Sequence, residues 1–180
     1  MKITATVQAR MGSTRLPGKV LKPILGRPML SLQIERIQRS ILIDEIIIAT
    51  TVDPRDDPIE QLAGEMKVAC FRGSEDDVLG RVVGALKEHK VEVHVEFQGD
   101  NPMPDPMLID SIIGFYLKNS DRYDYVTNAM KTTYPPGMEI YVYPPETLYD
   151  ADRKVTDPAL REHVANSIDL YPERYRLCNL

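Results

Sequence analysis

The chain has no tryptophan, three phenylalanines, three histidines and only two cysteines, and it has no apolar run near the roughly 20 residues that a membrane-spanning helix needs. Each shortage excludes a class. Cys70 and Cys178 stand far apart, outside any Cys-x-x-Cys spacing or Cys/His cluster, so neither a disulfide framework nor a zinc centre is indicated. His89 and His94 sit in no partner pattern and read as surface residues. The opening Met1-Lys2-Ile3-Thr4 runs straight into strand-like sequence instead of a signal peptide, which predicts a cytoplasmic protein without a membrane partner. The net charge of −5 argues against a nucleic-acid partner.

What is present is one domain's worth of core: 180 residues, 43% of them hydrophobic. The charges are unevenly spread. The first forty residues carry Lys2, Arg10, Arg15, Lys19, Lys22, Arg27, Arg36 and Arg39 against Glu35 alone, a local cationic region suited to a small polyanion. Apolar runs and helix-like segments alternate, with turn residues between them, which predicts a Rossmann-like α/β domain over residues 1–180 with a mostly parallel sheet flanked by helices.

The spacing predicts a strand from Ile3 to Gln8, a helix from Met29 to Ser40, and a strand over Glu45 to Thr50 buried on both faces. Asp57-Pro58 opens a second helix, and a short strand at Val68 to Phe71 leads into an amphipathic helix containing Val78, Leu79, Val82, Val83 and Leu86. Val91, Val93, Val95 and Phe97 alternate with Glu92, His94 and Glu96, the pattern of a strand with one wetter face. Asp105-Pro106 starts a helix to about Lys118, Tyr125–Thr127 reads as a strand, and Asp157-Pro158 caps a last helix. Residues 130–145, with Pro135, Pro136 and Gly137 ahead of Ile140 to Tyr143, break the alternation and are expected to project as an arm or hairpin. The loops beginning at Ala9, Thr51, Arg72 and Gln98 should share one edge of the sheet.

Three segments carry chemistry. Val7 to Lys19 runs from a strand into a loop with Gly12, Ser13, Gly18, Arg10, Arg15 and Lys19, where tight backbone turns and three cations can gather phosphates. It is not a P-loop, because five residues separate the glycines and Val20 follows the lysine where that loop has a hydroxyl for magnesium. Asp100, in Gln98-Gly99-Asp100-Asn101-Pro102, stands past a strand on the edge the cationic loop occupies, a position for a carboxylate holding Mg²⁺ against a triphosphate. Alone, Gly-Asp-Asn-Pro is also ordinary turn chemistry, and it is the pairing with the first loop that favours the metal. Arg72 to Arg81 can start a helix, with Ser74 as cap and Asp76 and Asp77 complementing its dipole, while Arg72 is a candidate donor to a base carbonyl.

The run from Gln8 to Leu30 resembles the opening of the cytidylyltransferases of the CMP-sugar-acid synthetase type. Phe71 to Arg81, Gln98 to Pro102, Tyr134-Pro135-Pro136-Gly137-Met138-Glu139 and Arg161-Glu162-His163-Val164 match the spore-coat branch of that family in order. The resemblance implies transfer of CMP from CTP to a sugar acid or related acceptor with release of pyrophosphate, for surface or spore-coat polysaccharide. It further implies Ala9, Arg10, Arg15 and Lys19 on the triphosphate, Arg72 and Gln98 on cytidine, Asp100 on Mg²⁺ and His163 toward the acceptor, where Glu139 is a candidate to substitute as an acidic group. A homodimer joined through the 130–145 arm is also implied. In-line attack on phosphorus needs alignment and charge stabilisation, with no covalent protein intermediate.

Two departures follow from the comparison with the family pattern. A later segment resembling Val-Asp-Thr-Pro-Glu-Asp supplies a second metal carboxylate in the family, and this chain reaches Cys178-Asn179-Leu180 without it. Tyr141 stands where the branch usually has an acidic residue. The alternative reading is therefore a CTP-binding protein without turnover, and a uridylyl- or guanylyltransferase is a further one, since such loops do not by themselves choose a base.

Overall fold

β1 (Ile3–Gln8) is buried from Ile3 through Val7 and only Gln8, its last residue, reaches toward solvent, so this strand lies at the centre of the molecule. The computed structural model describes residues 1–131 and 133–180. After β1 come a loop, a single 3₁₀ turn at Lys19–Leu21, and a small hairpin of β2 (Pro23–Ile24) and β3 (Arg27–Pro28). α1 (Met29–Ile37) stops three residues before the expected Ser40. β4 (Glu45–Thr51), a 3₁₀ turn at Pro54–Asp56, α2 (Asp57–Met66), β5 (Ala69–Gly73), α3 (Val78–Glu88) and β6 (Val93–Gln98) follow. The chain continues through α4 (Pro106–Lys118), β7 (Tyr125–Thr127), β8 (Tyr141–Tyr143), α5 (Pro145–Lys154), α6 (Pro158–Arg161), α7 (Asn166–Asp169) and β9 (Leu177–Asn179).

Seven strands form one sheet in the order β5-β4-β1-β6-β8-β7-β9. β5, β4, β1 and β6 are parallel, β8 runs antiparallel to both β6 and β7, and β9 is parallel to β7. Helices cover both faces, as parallel strands require. Leu30, Ile34 and Ile37 of α1, Ile59 and Leu62 of α2, and Ile109, Ile112 and Ile113 of α4 build one core. Leu79, Val82 and Leu86 of α3, Leu148 of α5 and Ile168 of α7 build the other. Asp105 and Asp157 start the helices that the sequence marks, accepting from the Leu108 and Ala159 amides, each worth about 1 kcal/mol; on α3 the cap is Asp77, which accepts from the Gly80 amide, instead of Ser74, and Asp57 is the first residue of α2 instead of its cap.

Two expectations need correction. The polar side of β6 is not wet. His94 and Glu96 are 0% and 1% exposed, because β8 pairs alongside β6 and closes over them. His94 Nε2 lies 2.7 Å from the Thr6 hydroxyl and its ring meets Tyr143 edge-on, and burial drives its pKa down to about 3, so the ring is neutral. His89 is also half-buried, 3.1 Å from Glu45. Nor does the whole of 130–145 project: Tyr141 and Tyr143 are buried in the middle of the sheet. The exposed part of that segment is Met130, Lys131 and Thr133 to Pro136, with Thr132 outside the described residues.

Candidate active site

The loops after β1, β4, β5 and β6 open on one sheet edge, the carboxyl edge where ligands bind in open α/β folds. The loop after β1 is folded on itself. The amides of Ser13 and Gly18 both donate to the Met11 carbonyl, at 2.9 and 3.0 Å. Gly18, at φ +68°, takes the left-handed turn that feeds the 3₁₀ turn carrying Lys19. One buried carboxylate anchors this loop to the next strand. Asp56 is 2% exposed and accepts from the Met11 amide at 2.7 Å, while its other oxygen accepts from the Thr50 hydroxyl and from the Thr51 amide and hydroxyl. Among the described residues, the amides of Gly12, Thr14 and Arg15 donate to no protein group, which leaves them for an anion.

Across the cleft, β6 ends at Gln98, and Gly99 turns so close to β1 that an added Cβ would stand 2.2 Å from the Gln8 carbonyl oxygen. That approach delivers Asp100 to the cationic loop. Lys19 Nζ lies 2.5 Å from Asp100 Oδ2, with both side chains partly exposed. The third wall comes from the end of the chain. Arg161 clamps α6 onto the start of α3 by two bonds to Asp77, at 2.9 and 2.8 Å, and a third to Asp152 at 2.7 Å. Its neighbours Glu162 and His163 thereby reach the cleft, where Glu162 pairs with Arg10 at 3.2 Å.

The resulting cavity has a volume of about 480 Å³ and brings together Ala9, Arg10, Ser13, Arg15, Lys19, Gln98, Asp100 and His163. Three expected residues do not line it. Gly12 packs beside it, its Cα against the Glu75 carboxylate. Glu139 accepts from the Gly137 amide and, at 3.1 Å, from Asn101, the residue after Asp100. Arg72 is turned away: its guanidinium donates to the carbonyls of Thr51 and Asp53, both at 2.8 Å, and pairs with Asp57 and Glu60 of α2, both at 2.7 Å. Arg72→Ala should therefore leave the affinity for the CTP that the sequence resemblance implies within about threefold of the parent in a calorimetric titration, with a stability loss of about 1 kcal/mol from exposed pairs.

The cleft also contains residues that the sequence reading passed over. Arg81 is 3% exposed, donates to the Ser74 carbonyl at 2.5 Å and keeps its Nε without a partner among the described residues, while burial pushes its pKa down to about 10. The signal was there, as an arginine set among Val78, Leu79, Val82 and Val83. Glu96 and Asp169 lie at the deep end. Burial pushes the Glu96 carboxyl up to about 7, against hydrogen bonds from Tyr143 and Gln8 that pull it down.

Among the described residues, no three His, Cys, Asp or Glu side chains converge to hold a metal unaided. A single carboxylate, Asp100, facing a cationic loop with free amides fits a Mg²⁺ ion completed by phosphate oxygens and water, since that ion retains water and takes one or two carboxylates.

A mainly parallel seven-stranded sheet flanked by helices is the nucleotide-diphospho-sugar transferase fold. The family whose model describes a cytidylyltransferase matches residues 4–153, and the chain belongs to the cytidylyltransferase family, whose members are nucleotidyltransferases. It is 35% identical to the spore coat polysaccharide biosynthesis protein SpsF of Bacillus subtilis, over 95% of this chain and 71% of that one. A solved cytidylyltransferase from Leptospira borgpetersenii superposes with a TM-score of 0.96 at 31% identity, over 100% of this chain and 76% of that chain. CMP:2-keto-3-deoxy-manno-octonic acid synthetase, solved with CTP, shares the fold at 19% identity, with a TM-score of 0.75 over 100% of this chain and 89% of that one. No helix among the described residues is long and apolar enough to cross a membrane.

Proposed function

We propose that this protein transfers CMP from CTP to a sugar-type acceptor and releases pyrophosphate, in the service of a surface or spore-coat polysaccharide. The observation that carries the reading is the meeting of Lys19 and Asp100 across the cleft, a cation for phosphate and a carboxylate for metal on facing lips of one cavity. Arg10, Arg15, Lys19 and the free loop amides hold the triphosphate, and Ala9 and Ser13 let the backbone approach it. Gln98 and the unpartnered Nε of Arg81 offer donors to the cytosine carbonyl, the part that Arg72 is not placed to play. Asp100 holds Mg²⁺, which supplies charge neutralisation on the phosphates.

An acceptor hydroxyl then attacks the α-phosphorus. The new O–P bond forms as the bond to the bridging oxygen breaks, the electron pair leaves with pyrophosphate, and the hydroxyl proton passes to a base or to water. The chain's own contribution is alignment and preorganised positive charge. Glu139, bonded to the residue beside Asp100, fixes that turn, and His163 faces the acceptor. A homodimer forms through the exposed loop before β8.

A nucleotide panel tests the reading. CTP at a hundredfold over its dissociation constant should stabilise the fold by about 2.7 kcal/mol, more than UTP or GTP does, and pyrophosphate should appear only with Mg²⁺ and an acceptor. Greater stabilisation by UTP or GTP rejects the cytidylyl assignment. Stabilisation by CTP without pyrophosphate from any acceptor leaves a binding protein.

A further inference from the structure

Gln8 is the last residue of β1, on the same face of the strand as Thr6, whose partner across the parallel register is Glu96 of β6. The Gln8 and Glu96 side chains meet on that face. Gln8 Nε2 donates to Glu96 Oε1 at 2.8 Å, and the other oxygen of the carboxylate accepts from the hydroxyl of the fully buried Tyr143. A carboxylate only accepts, so it holds the NH₂ group of the Gln8 amide toward itself, and the planar amide then directs its oxygen away from Glu96. Gln8 is half-buried and lines the cavity, and among the described residues its Oε1 accepts from no donor. The cleft therefore holds a neutral acceptor whose orientation is set from beneath.

We propose that Gln8 reads the exocyclic amino group of cytosine, with Glu96 as the positioning residue that decides which end of the Gln8 amide the base meets. This rests on the CMP-transfer reading and adds to it what chooses the base. Donors alone do not choose: the carbonyl at carbon two, to which Gln98 and Arg81 can donate, is common to cytosine and uracil. The two bases differ at carbon four, where cytosine carries an amino donor and uracil a carbonyl acceptor. Against Gln8 Oε1, cytosine makes a hydrogen bond and uracil sets two acceptors against each other. A bare carbonyl oxygen also suits no phosphate, and the phosphates already have Arg10, Arg15 and Lys19 on the outer lip.

The test titrates the full chain by calorimetry, with Mg²⁺ present, with CTP, UTP and the triphosphate of pyrimidin-2-one riboside, which has only hydrogen at carbon four. Working at about pH 8.5, above the value of about 7 to which burial pushes Glu96, keeps that carboxylate an acceptor. The parent should bind CTP at least about tenfold more tightly than UTP, with the pyrimidinone between them, as one hydrogen bond gained or one acceptor pair opposed requires. Gln8→Leu, of similar shape, should bring all three within about threefold by weakening CTP, with UTP unchanged or tighter. Glu96→Gln leaves Gln8 in place but can donate to it, which frees the amide to turn its NH₂ group toward the base. Its CTP-to-UTP ratio should fall to about threefold, a change that a merely structural role of Glu96 would not produce. Thermal melting shows which variants are folded, and either folded variant decides. A CTP preference that survives in Gln8→Leu, a loss shared equally by all three nucleotides, or an unchanged ratio in Glu96→Gln overturns the proposal. If the parent itself does not prefer CTP to UTP, the CMP-transfer reading fails; if it does and the variants keep that preference, only the assignment of Gln8 fails.

Discussion

Replacing Lys19 with alanine is expected to lower the rate of CTP-dependent pyrophosphate release by about 10²-fold or more, the usual effect of deleting one preorganised donor to developing charge. Lys19 is well held for that work. It follows a left-handed glycine on a tight 3₁₀ turn, and its ammonium is fixed against Asp100 at 2.5 Å instead of sweeping through solvent. In the free protein the two charges satisfy each other. In the proposed reaction Lys19 would turn to phosphate and Asp100 would hold the metal, so that incoming charges would replace the pair the two make with each other in the free protein.

That exchange gives Lys19 and Asp100 a distinctive coupling. Asp100→Asn should cost at least as much as Lys19→Ala, and the double variant should lose much less than the product of the two, because each single change already dismantles the same charge arrangement. Lys19→Arg, which keeps the charge and alters its geometry, should recover part of the rate. A loss below about threefold in Lys19→Ala, measured as kcat/KM for CTP, removes the residue from the reaction.

The outer half of this site is legible in the sequence because its logic is local. A β-branched strand, glycine turns and clustered cations mark one cluster within a dozen residues, and a carboxylate just past a strand falls on the same edge by simple alternation of strands and helices. The inner half is not legible, because it depends on which strand lies beside which. Alternation along β6 assigns Glu96 and His94 to water, and only the insertion of β8 next to β6, from more than forty residues away, buries them and brings Tyr143 within reach. Residues Tyr141 to Tyr143, hidden behind a proline-rich loop, give no sign that they are central strand instead of arm. Arg72 is misread for a related reason. The strand end is right, but acids on the preceding α2 capture the guanidinium before it can reach the cleft.

Asp56→Ala is expected to be the most destabilising single change in the site region and to weaken CTP binding at the same time. The aspartate touches no ligand in the proposed reaction, yet it is 2% exposed and satisfies four donors from two segments. Alanine leaves the Met11 and Thr51 amides without an acceptor in a dry pocket. At about 1–3 kcal/mol for each unsatisfied buried group, the loss should reach about 3–5 kcal/mol. For a chain of this length that is a fall of about 10–15 °C in Tm.

Asp56→Asn separates the stabilising role from the positioning one. One amide oxygen can still accept from Met11, and the two threonine hydroxyls can rotate to accept from the new NH₂ group, but the Thr51 amide then has nothing to donate to. Its Tm should fall by about half as much as that of the alanine variant, while CTP affinity stays near the parent value, because the Met11 anchor that sets the phosphate loop is retained. Thermal melts and CTP titrations on both variants read the two effects apart. An Asp56→Ala protein melting within about 3 °C of the parent would show that water satisfies these donors and that the loop holds its shape without the carboxylate.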